Sequence, residues 1–107
     1  MRRGDVYWVG FDPARGGEIQ KRRPAIVVSN DAANAVQNRV QVVPLTSNVS
    51  RVYPWEALVH VQGNARKALA DQIRTVAKER LTGYVGTIAP PDLLAVAQAL
   101  RIQLGLP

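Results

Sequence analysis

The feature that most constrains the fold is a short apolar run at residues 25–29, within the stretch KRRPAIVVSN. Three positive side chains and Pro24 lead directly into it. A continuous apolar run of this length, bounded by polar residues, is typical of a strand that is buried on both of its faces. The run therefore predicts a central strand, with Lys21 and Arg22 in the preceding loop and Arg23 held in extended geometry by Pro24.

Several other segments have the β-branched and aromatic composition of strands. We predict strands within residues 5–11, 39–44, 56–61, 67–76 and 84–88. Turn-forming residues separate the predicted strands. We predict loops at residues 12–20 and 45–54 and a turn at Gly63-Asn64. Residues 30–38 are predicted to form a loop or a short helical turn.

The C-terminal segment has a helical pattern instead. Pro90-Pro91 and Asp92 suit a first helical turn, and Gly105 suits a helix end. The apolar residues between them follow helical spacing: Leu93, Val96, Ala97, Leu100 and Leu104. Short strands with one such helix predict an α+β fold. We expect a small, partly closed antiparallel barrel with a C-terminal amphipathic helix. The length predicts a single domain over residues 1–107.

The charge balance is basic, with 14 Lys and Arg residues against 8 Asp and Glu residues and a net charge of +6. Most of the positive residues are Arg, whose planar fork of donors suits phosphate. A basic balance favours an anionic partner, most commonly nucleic acid, although a soluble protein can also simply be basic.

Other classes of chemistry lack the residues that they need. The chain has no cysteine, which excludes disulfides and thiolate chemistry. His60 is the only histidine and lies in a predicted strand, so neither a metal site nor a serine–histidine triad is expected. No apolar segment is long enough for a signal peptide or a membrane span. We therefore expect a cytoplasmic protein without a cofactor.

The remaining candidate chemistry centres on Arg23 and Thr46. In metal-free RNA cleavage the 2′-hydroxyl attacks the adjacent phosphorus, and negative charge grows on the non-bridging oxygens. A guanidinium and a hydroxyl can stabilise that charge if the strand that begins near Arg23 neighbours the one that ends before Thr46. The alternatives are a solvated Arg at the rim of a strand and a Thr that bonds its own backbone in a turn.

Two predicted loops add polar and aromatic groups that can bind RNA. The candidates for substrate binding there are Glu18, Gln20, Lys21 and Arg22 in the first loop and Arg51 and Tyr53 in the second. Trp55 is predicted to lie in the core, and Tyr53 can either cap the core or stack on a base.

Gln72 and Arg74 form a further pair of candidates in DQIRTV. In a strand, residues two apart point to the same face, so both side chains can line a groove. A surface salt bridge from Arg74 to Asp71 or Glu79 is the alternative.

Four motifs and a closing helix occur in an order that resembles the MazF/PemK-type toxins of bacterial toxin–antitoxin pairs. The motifs are RRGDVYWVGFDPARGGE, RRPAIVVSND, VVPLTSN and DQIRTVAKERL, and the helix ends LGLP. The resemblance covers residues 3–106. It implies an SH3-like barrel that forms a homodimer and cleaves single-stranded mRNA at specific sequences without a metal, leaving a 2′,3′-cyclic phosphate and a 5′-hydroxyl. It also implies a cognate antitoxin whose acidic C-terminal tail blocks the RNA groove.

The resemblance also implies roles for individual residues. Arg23 would stabilise the phosphorane and take part in proton transfer, and Thr46 would hold the scissile phosphate or the attacking hydroxyl. Glu18 would lie at the edge of the groove, and Ser47 would add a phosphate contact. Gln72 and Arg74 would lie near the groove or the dimer interface.

One alternative remains open at the level of sequence. A basic barrel with aromatic loops can bind nucleic acid or protein without cutting anything, and toxins of related structure poison DNA gyrase. The Arg23 and Thr46 pair distinguishes the two hypotheses, because a protein that only binds does not need it.

Overall fold

The computed structural model describes residues 1–11, 15–19 and 21–107. These residues form seven strands and two α-helices, with 3-10 turns at Ala70–Gln72 and Lys78–Arg80. The elements are β1 (Asp5–Gly10), β2 (Arg22–Val27), α1 (Asp31–Val36), β3 (Arg39–Thr46), β4 (Glu56–Val61), β5 (Asn64–Leu69), β6 (Arg74–Ala77), β7 (Leu81–Thr87) and α2 (Pro90–Leu104).

The strands form one curled antiparallel sheet in the order β4-β5-β3-β2-β1-β7, and β6 also pairs with β3. β5 and β6 lie one after the other along β3, since Leu45 pairs with Ala68 and Val42 pairs with Arg74. The curled sheet is a half-barrel with a helix at its C-terminal end. This confirms the predicted α+β fold with an antiparallel sheet and an appended helix.

The central position predicted for the apolar run is confirmed, because β2 lies between β1 and β3. Ile26 and Val28 belong to one buried cluster, which includes α2 and which we call the helix-side cluster. Ala25 and Val27 belong to a second buried cluster on the other face, which we call the loop-side cluster because Ile19 of the first loop packs against it. Successive residues of a strand alternate between its two faces, so both faces of β2 are buried.

β2 begins earlier than the sequence predicts, at Arg22 rather than at residue 25. Arg22 and Arg23 are therefore strand residues, paired with Gly10 and Val9 of β1. Proline has no backbone N–H and therefore cannot donate a hydrogen bond to a neighbouring strand. Pro24 does not interrupt β2, because the pairing of β2 with β3 begins only at the next residue, Ala25.

The segment at residues 67–76 differs from the prediction of one strand. It contains the end of β5, the 3-10 turn Ala70–Gln72 and the start of β6. The turn before β5 also shifts by one residue, because Gln62 and Gly63 have positive φ angles of 51° and 78°. Two consecutive positive φ angles are typical of a tight two-residue hairpin, which leaves Asn64 as the first residue of β5.

The predicted C-terminal helix is confirmed, and it ends at Gly105 with φ of 66°. Val96 and Ala99 are fully buried in the helix-side cluster, and Leu93 and Leu100 pack against it. Asp92 accepts a hydrogen bond of 2.8 Å from the backbone N–H of His60 in β4, which ties the first turn to the sheet. No helix of the described residues has the length and apolar character that a membrane span requires.

Two valines in helices provide a matched test of this packing. Val96 is 0% exposed and Val36 in α1 is 83% exposed. We expect Val96→Ala to lower the free energy of unfolding by about 2 kcal/mol, because it removes two buried methyl groups and leaves a cavity. Val36→Ala should change it by less than about 0.5 kcal/mol. Urea denaturation at one protein concentration measures both, and equal effects would contradict the packing of α2 on the sheet.

Candidate functional site

The register between β2 and β3 aligns the strand ends that carry Arg23 and Thr46. Ala25 pairs with Pro44, and Val27 pairs with Val42. Continuing this antiparallel register by two residues puts Arg23 opposite Thr46. Arg23 is two residues from Ala25 and Thr46 four residues from Val42, so both side chains point to the loop-side face. The two strands are thus neighbours, as the candidate chemistry requires.

Thr46 is the last residue of β3 rather than a residue after it. Its Oγ1 accepts a hydrogen bond of 3.3 Å from the backbone N–H of Asn48, so the alternative of a turn-forming threonine also holds. Ser47 follows it and is exposed. Arg23 is exposed on β2, next to the part of the strand that is buried on both faces.

The first loop is described over residues 15–19, and Gln20 lies outside the described residues. Glu18 is exposed, and its Oε1 accepts a hydrogen bond of 2.7 Å from the backbone N–H of Arg15. Ile19 packs against the loop-side cluster, which holds this part of the loop over the same face as Arg23. Lys21 is exposed, with φ of 65° immediately before β2.

Gln72 binds the first loop through both the oxygen and the nitrogen of its side-chain amide. Its Oε1 accepts a hydrogen bond of 2.6 Å from the backbone N–H of Ile19. Its Nε2 donates a hydrogen bond of 3.4 Å to the carbonyl of Gly17. Gln72 lies in the 3-10 turn, so the prediction that it shares a strand with Arg74 is wrong.

Arg74 holds the start of the same loop. Its guanidinium donates a hydrogen bond of 3.2 Å to the carbonyl of Phe11 and lies 5.9 Å from the centre of the Phe11 ring. Within the described part of the chain it makes no salt bridge to Asp71 or Glu79. Gln72 and Arg74 nevertheless line one cavity of about 320 Å³, whose walls are Phe11, Glu18, Ile19, Asp71, Gln72, Ile73 and Arg74.

Arg22 lies apart from this group. Its guanidinium sits 4.8 Å from the centre of the Trp8 ring, and its Nε donates a hydrogen bond of 3.1 Å to Thr82. Because Arg22 precedes Arg23 in the strand, its side chain points to the opposite face. The structure therefore does not bring Arg22 together with Thr46, and the prediction that Arg22 is a loop residue is wrong.

The prediction that Trp55 lies in the core is wrong. Trp55 is 38% exposed in the loop before β4, and its ring stacks on that of Tyr53 with centroids 5.1 Å apart and planes 3° apart. The guanidinium of Arg51 lies 5.2 Å from the centre of the Tyr53 ring. The two rings contact each other, and the candidates Arg51 and Tyr53 belong to one stack with Trp55.

Sequence reasoning missed an ion pair between Lys67 and Glu56. The Lys67 Nζ lies 3.3 Å from the Glu56 Oε1, and the two side chains are only 12% and 9% exposed. Lys67 is the strand partner of Thr46, and Leu58 is its partner in β4. Glu56 precedes Leu58 by two residues, so the pair forms diagonally across two strands on one face. The sequence signal was the opposite charge of the two residues on either side of the turn at Gly63.

No group of three or more His, Cys, Asp and Glu side chains that could hold a metal ion occurs among residues 1–11, 15–19 and 21–107. The Nδ1 of His60 lies 3.3 Å from Asp92, in a contact that joins β4 to α2. Positive side chains on or beside the loop-side face include Arg23, Arg74 and Lys67, of which Lys67 is paired with Glu56.

Known proteins share this fold and much of this sequence. A family model described as PemK-like, MazF-like toxin of type II toxin-antitoxin system matches residues 2–104. Endoribonuclease MazF9 of Mycobacterium tuberculosis is 43% identical to this chain, and the match covers 99% of this chain and 98% of that one.

Two solved structures extend the likeness to the whole fold. The crystal structure of MazF from Deinococcus radiodurans matches with a TM-score of 0.86 and 30% identity, over 99% of this chain and 97% of that one. An endoribonuclease from a mycobacterial species, solved in complex with its cognate antitoxin, matches with a TM-score of 0.84 and 29% identity, over 100% of this chain and 97% of that one. This chain belongs to the PemK-like, MazF-like toxins of type II toxin–antitoxin systems.

Proposed function

We propose that this chain is the toxin of a type II toxin–antitoxin system, a metal-independent endoribonuclease that cleaves single-stranded mRNA at specific sequences. The observation that carries the proposal is the register of β2 and β3, which pairs Ala25 with Pro44 and, extended by two residues, aligns Arg23 with Thr46 on the loop-side face. Membership of a family whose relatives are named endoribonucleases supports the same activity.

The reaction begins when the 2′-oxygen of a ribose attacks the adjacent phosphorus and loses its proton. The bond from phosphorus to the 5′-oxygen then breaks, and that oxygen takes up a proton. The products are a 2′,3′-cyclic phosphate and a 5′-hydroxyl. Arg23 stabilises the charge on the non-bridging oxygens through two parallel N–H donors, and the hydroxyl of Thr46 holds the phosphate or the attacking group.

The restricted backbone at Arg23 suits this role. Pro24 restricts the backbone of Arg23 to extended geometry, and the next residues of β2 are buried on both faces. A donor held in this way does not need to reorganise when charge develops on the phosphate. Arg22, on the opposite face, lacks a role in this step.

The remaining partners follow from the family. The toxin is a cytoplasmic homodimer, and an antitoxin with an acidic C-terminal tail neutralises it. The net charge of +6 suits both the RNA and that tail. The relative that was solved with its cognate antitoxin supports this partner.

The first experiment measures cleavage of a long RNA by purified protein in the presence of EDTA. We expect Arg23→Ala and Arg23→Lys each to lower kcat/KM by about 10²–10³-fold, because an ammonium cannot reproduce the guanidinium fork. Arg101→Lys, an exposed change in the last turn of α2, is the matched control and should retain wild-type activity.

Two outcomes would contradict the proposal, and a third would contradict the role of the guanidinium fork. Wild-type protein that leaves every RNA intact would contradict endoribonuclease activity. Cleavage that EDTA abolishes and added Mg²⁺ restores would contradict the metal-independent reaction. Near-full activity of Arg23→Lys would show that only the charge at this position matters.

A second experiment tests whether Gln72 acts through the loop or contacts RNA directly. We expect Gln72→Ala to lower kcat by about 10-fold, because the loop that carries Glu18 loses two hydrogen bonds. Hydrogen exchange at the backbone of residues 15–19 should become faster in this variant, whereas Gln98→Ala on α2 should change neither quantity. A higher KM with unchanged hydrogen exchange would instead indicate direct contact with RNA.

A further inference from the structure

A second cavity, of about 130 Å³, lies beside the turn between β4 and β5. Its most buried part is formed by Leu45 and Val61, which belong to the helix-side cluster. The apolar residues that line it are Trp8, Pro24, Leu45, Val61 and Val85. Since an engineered apolar cavity of about 150 Å³ can bind benzene, a space of this size suits one small apolar group.

Gln62 fixes the wall of the cavity between the turn and β7. Its backbone has φ of 51°, in the left-handed region that residues other than glycine rarely occupy. Its Nε2 donates a hydrogen bond of 2.7 Å to the carbonyl of Val85, which joins the turn to the edge strand β7. A Cβ added to Gly86 would lie 3.8 Å from both Val61 and Gln62, so the turn packs closely against β7. The cavity is therefore formed before any ligand binds, which lowers the cost of binding.

Arg66 adds a positive charge to this apolar space. It pairs with Val59, which is fully buried in the helix-side cluster, so the Arg66 side chain lies on the same face. Its guanidinium is partly buried and donates a hydrogen bond of 2.8 Å to the carbonyl of Ala65. Within residues 1–11, 15–19 and 21–107, no salt bridge includes Arg66 and no carboxylate lines the cavity. Further N–H donors of the guanidinium can therefore bind an anion from outside the chain.

These features together favour an anion with an apolar body. Apolar walls suit an aromatic ring or a branched alkyl group, and a guanidinium binds a carboxylate through two parallel hydrogen bonds. Gln62 and Asn64, the other polar residues that line the cavity, are uncharged and do not repel an anion. A free phosphate would leave the apolar walls without a partner.

The cavity lies on the opposite face of the sheet from the candidate catalytic pair. Pro24 lines the cavity and follows Arg23 in β2. Leu45 also lines it and precedes Thr46 in β3. Successive residues of a strand alternate between its faces, so Arg23 and Thr46 point away from the cavity. An RNA strand on the loop-side face would therefore not occupy this space.

We propose that this cavity is a binding site for a small apolar carboxylate, whose ring or alkyl group packs against the apolar walls and whose carboxylate binds Arg66. A free small molecule fits better than a protein partner. A side chain carries either an apolar group or a carboxylate, whereas one small molecule carries both within the volume of the cavity. The proposal goes beyond RNA cleavage, because the site shares no side chain with the candidate catalytic pair.

The experiment uses Trp8 as the reporter, since it lines the cavity. The chain has two tryptophans, so Trp55→Phe leaves Trp8 as the only one. The probes are benzoate and phenylacetate, and benzamide is a neutral ligand of matched size. We expect the carboxylates to change Trp8 fluorescence saturably. Kd for benzamide should be at least about 10-fold higher than Kd for benzoate, because benzamide lacks the charge that Arg66 binds.

Variants in the Trp55→Phe protein test the two halves of the site. Arg66→Gln should raise Kd for benzoate by about 10- to 100-fold and leave Kd for benzamide within about 2-fold. Arg101→Gln removes the same charge from an exposed position on α2 and is the matched control, which should change neither value. Val85→Phe should abolish binding of both ligands, because the larger side chain fills the cavity. Urea denaturation checks that this variant folds, and Arg66→Gln decides the question if it does not.

Four results would overturn the proposal. The first is the lack of any saturable response of Trp8 to benzoate or phenylacetate. The second is an equal Kd for benzoate in the wild-type and Arg66→Gln proteins, which would show that Arg66 holds no carboxylate. The third is a response only to an acidic peptide with an aromatic residue, which would assign the cavity to a protein partner. The fourth is a Kd for benzoate that rises with protein concentration, which would show that a second copy of the chain covers the cavity.

Discussion

The antiparallel register between β2 and β3 is the constraint on which the candidate site depends. Both strands are buried on both faces where they pair, so a shift by one residue would exchange their helix-side and loop-side side chains. The same shift would separate Arg23 from Thr46. Burial of the alternating apolar residues therefore also determines the geometry of a pair of polar groups at the ends of the two strands.

A small number of polar contacts then positions the loops around that pair. Gln72 binds the backbone of the first loop at Gly17 and Ile19, more than 50 residues earlier in the chain. Lys67 and Glu56 hold the second loop from neighbouring strands. Because each contact joins a loop to a rigid strand or turn, the loops gain order without a large apolar core of their own.

Local patterns predicted the regular elements well. The strand at Glu56–Val61 and the helix that ends before Gly105 have the bounds that composition and spacing indicate. Predictions were weaker where tertiary contacts override local pattern. Trp55 stacks on Tyr53 instead of entering the core, and the segment around Gln72 turns between β5 and β6 instead of continuing as one strand. Aromatic rings and short polar turns have several stable environments, and only the surrounding fold selects one.

The sequence by itself determined the fold class, the buried central strand and the family, because apolar periodicity and ordered motifs are properties of residues near one another in the chain. It also identified Arg23 and Thr46 as a candidate pair. Only the tertiary structure decided that β2 and β3 pair in a register that aligns the two residues, that Arg22 points away, and that Gln72 holds a loop. These relations depend on which strands become neighbours and in which register, and pairing between distant segments leaves no local signal in the sequence.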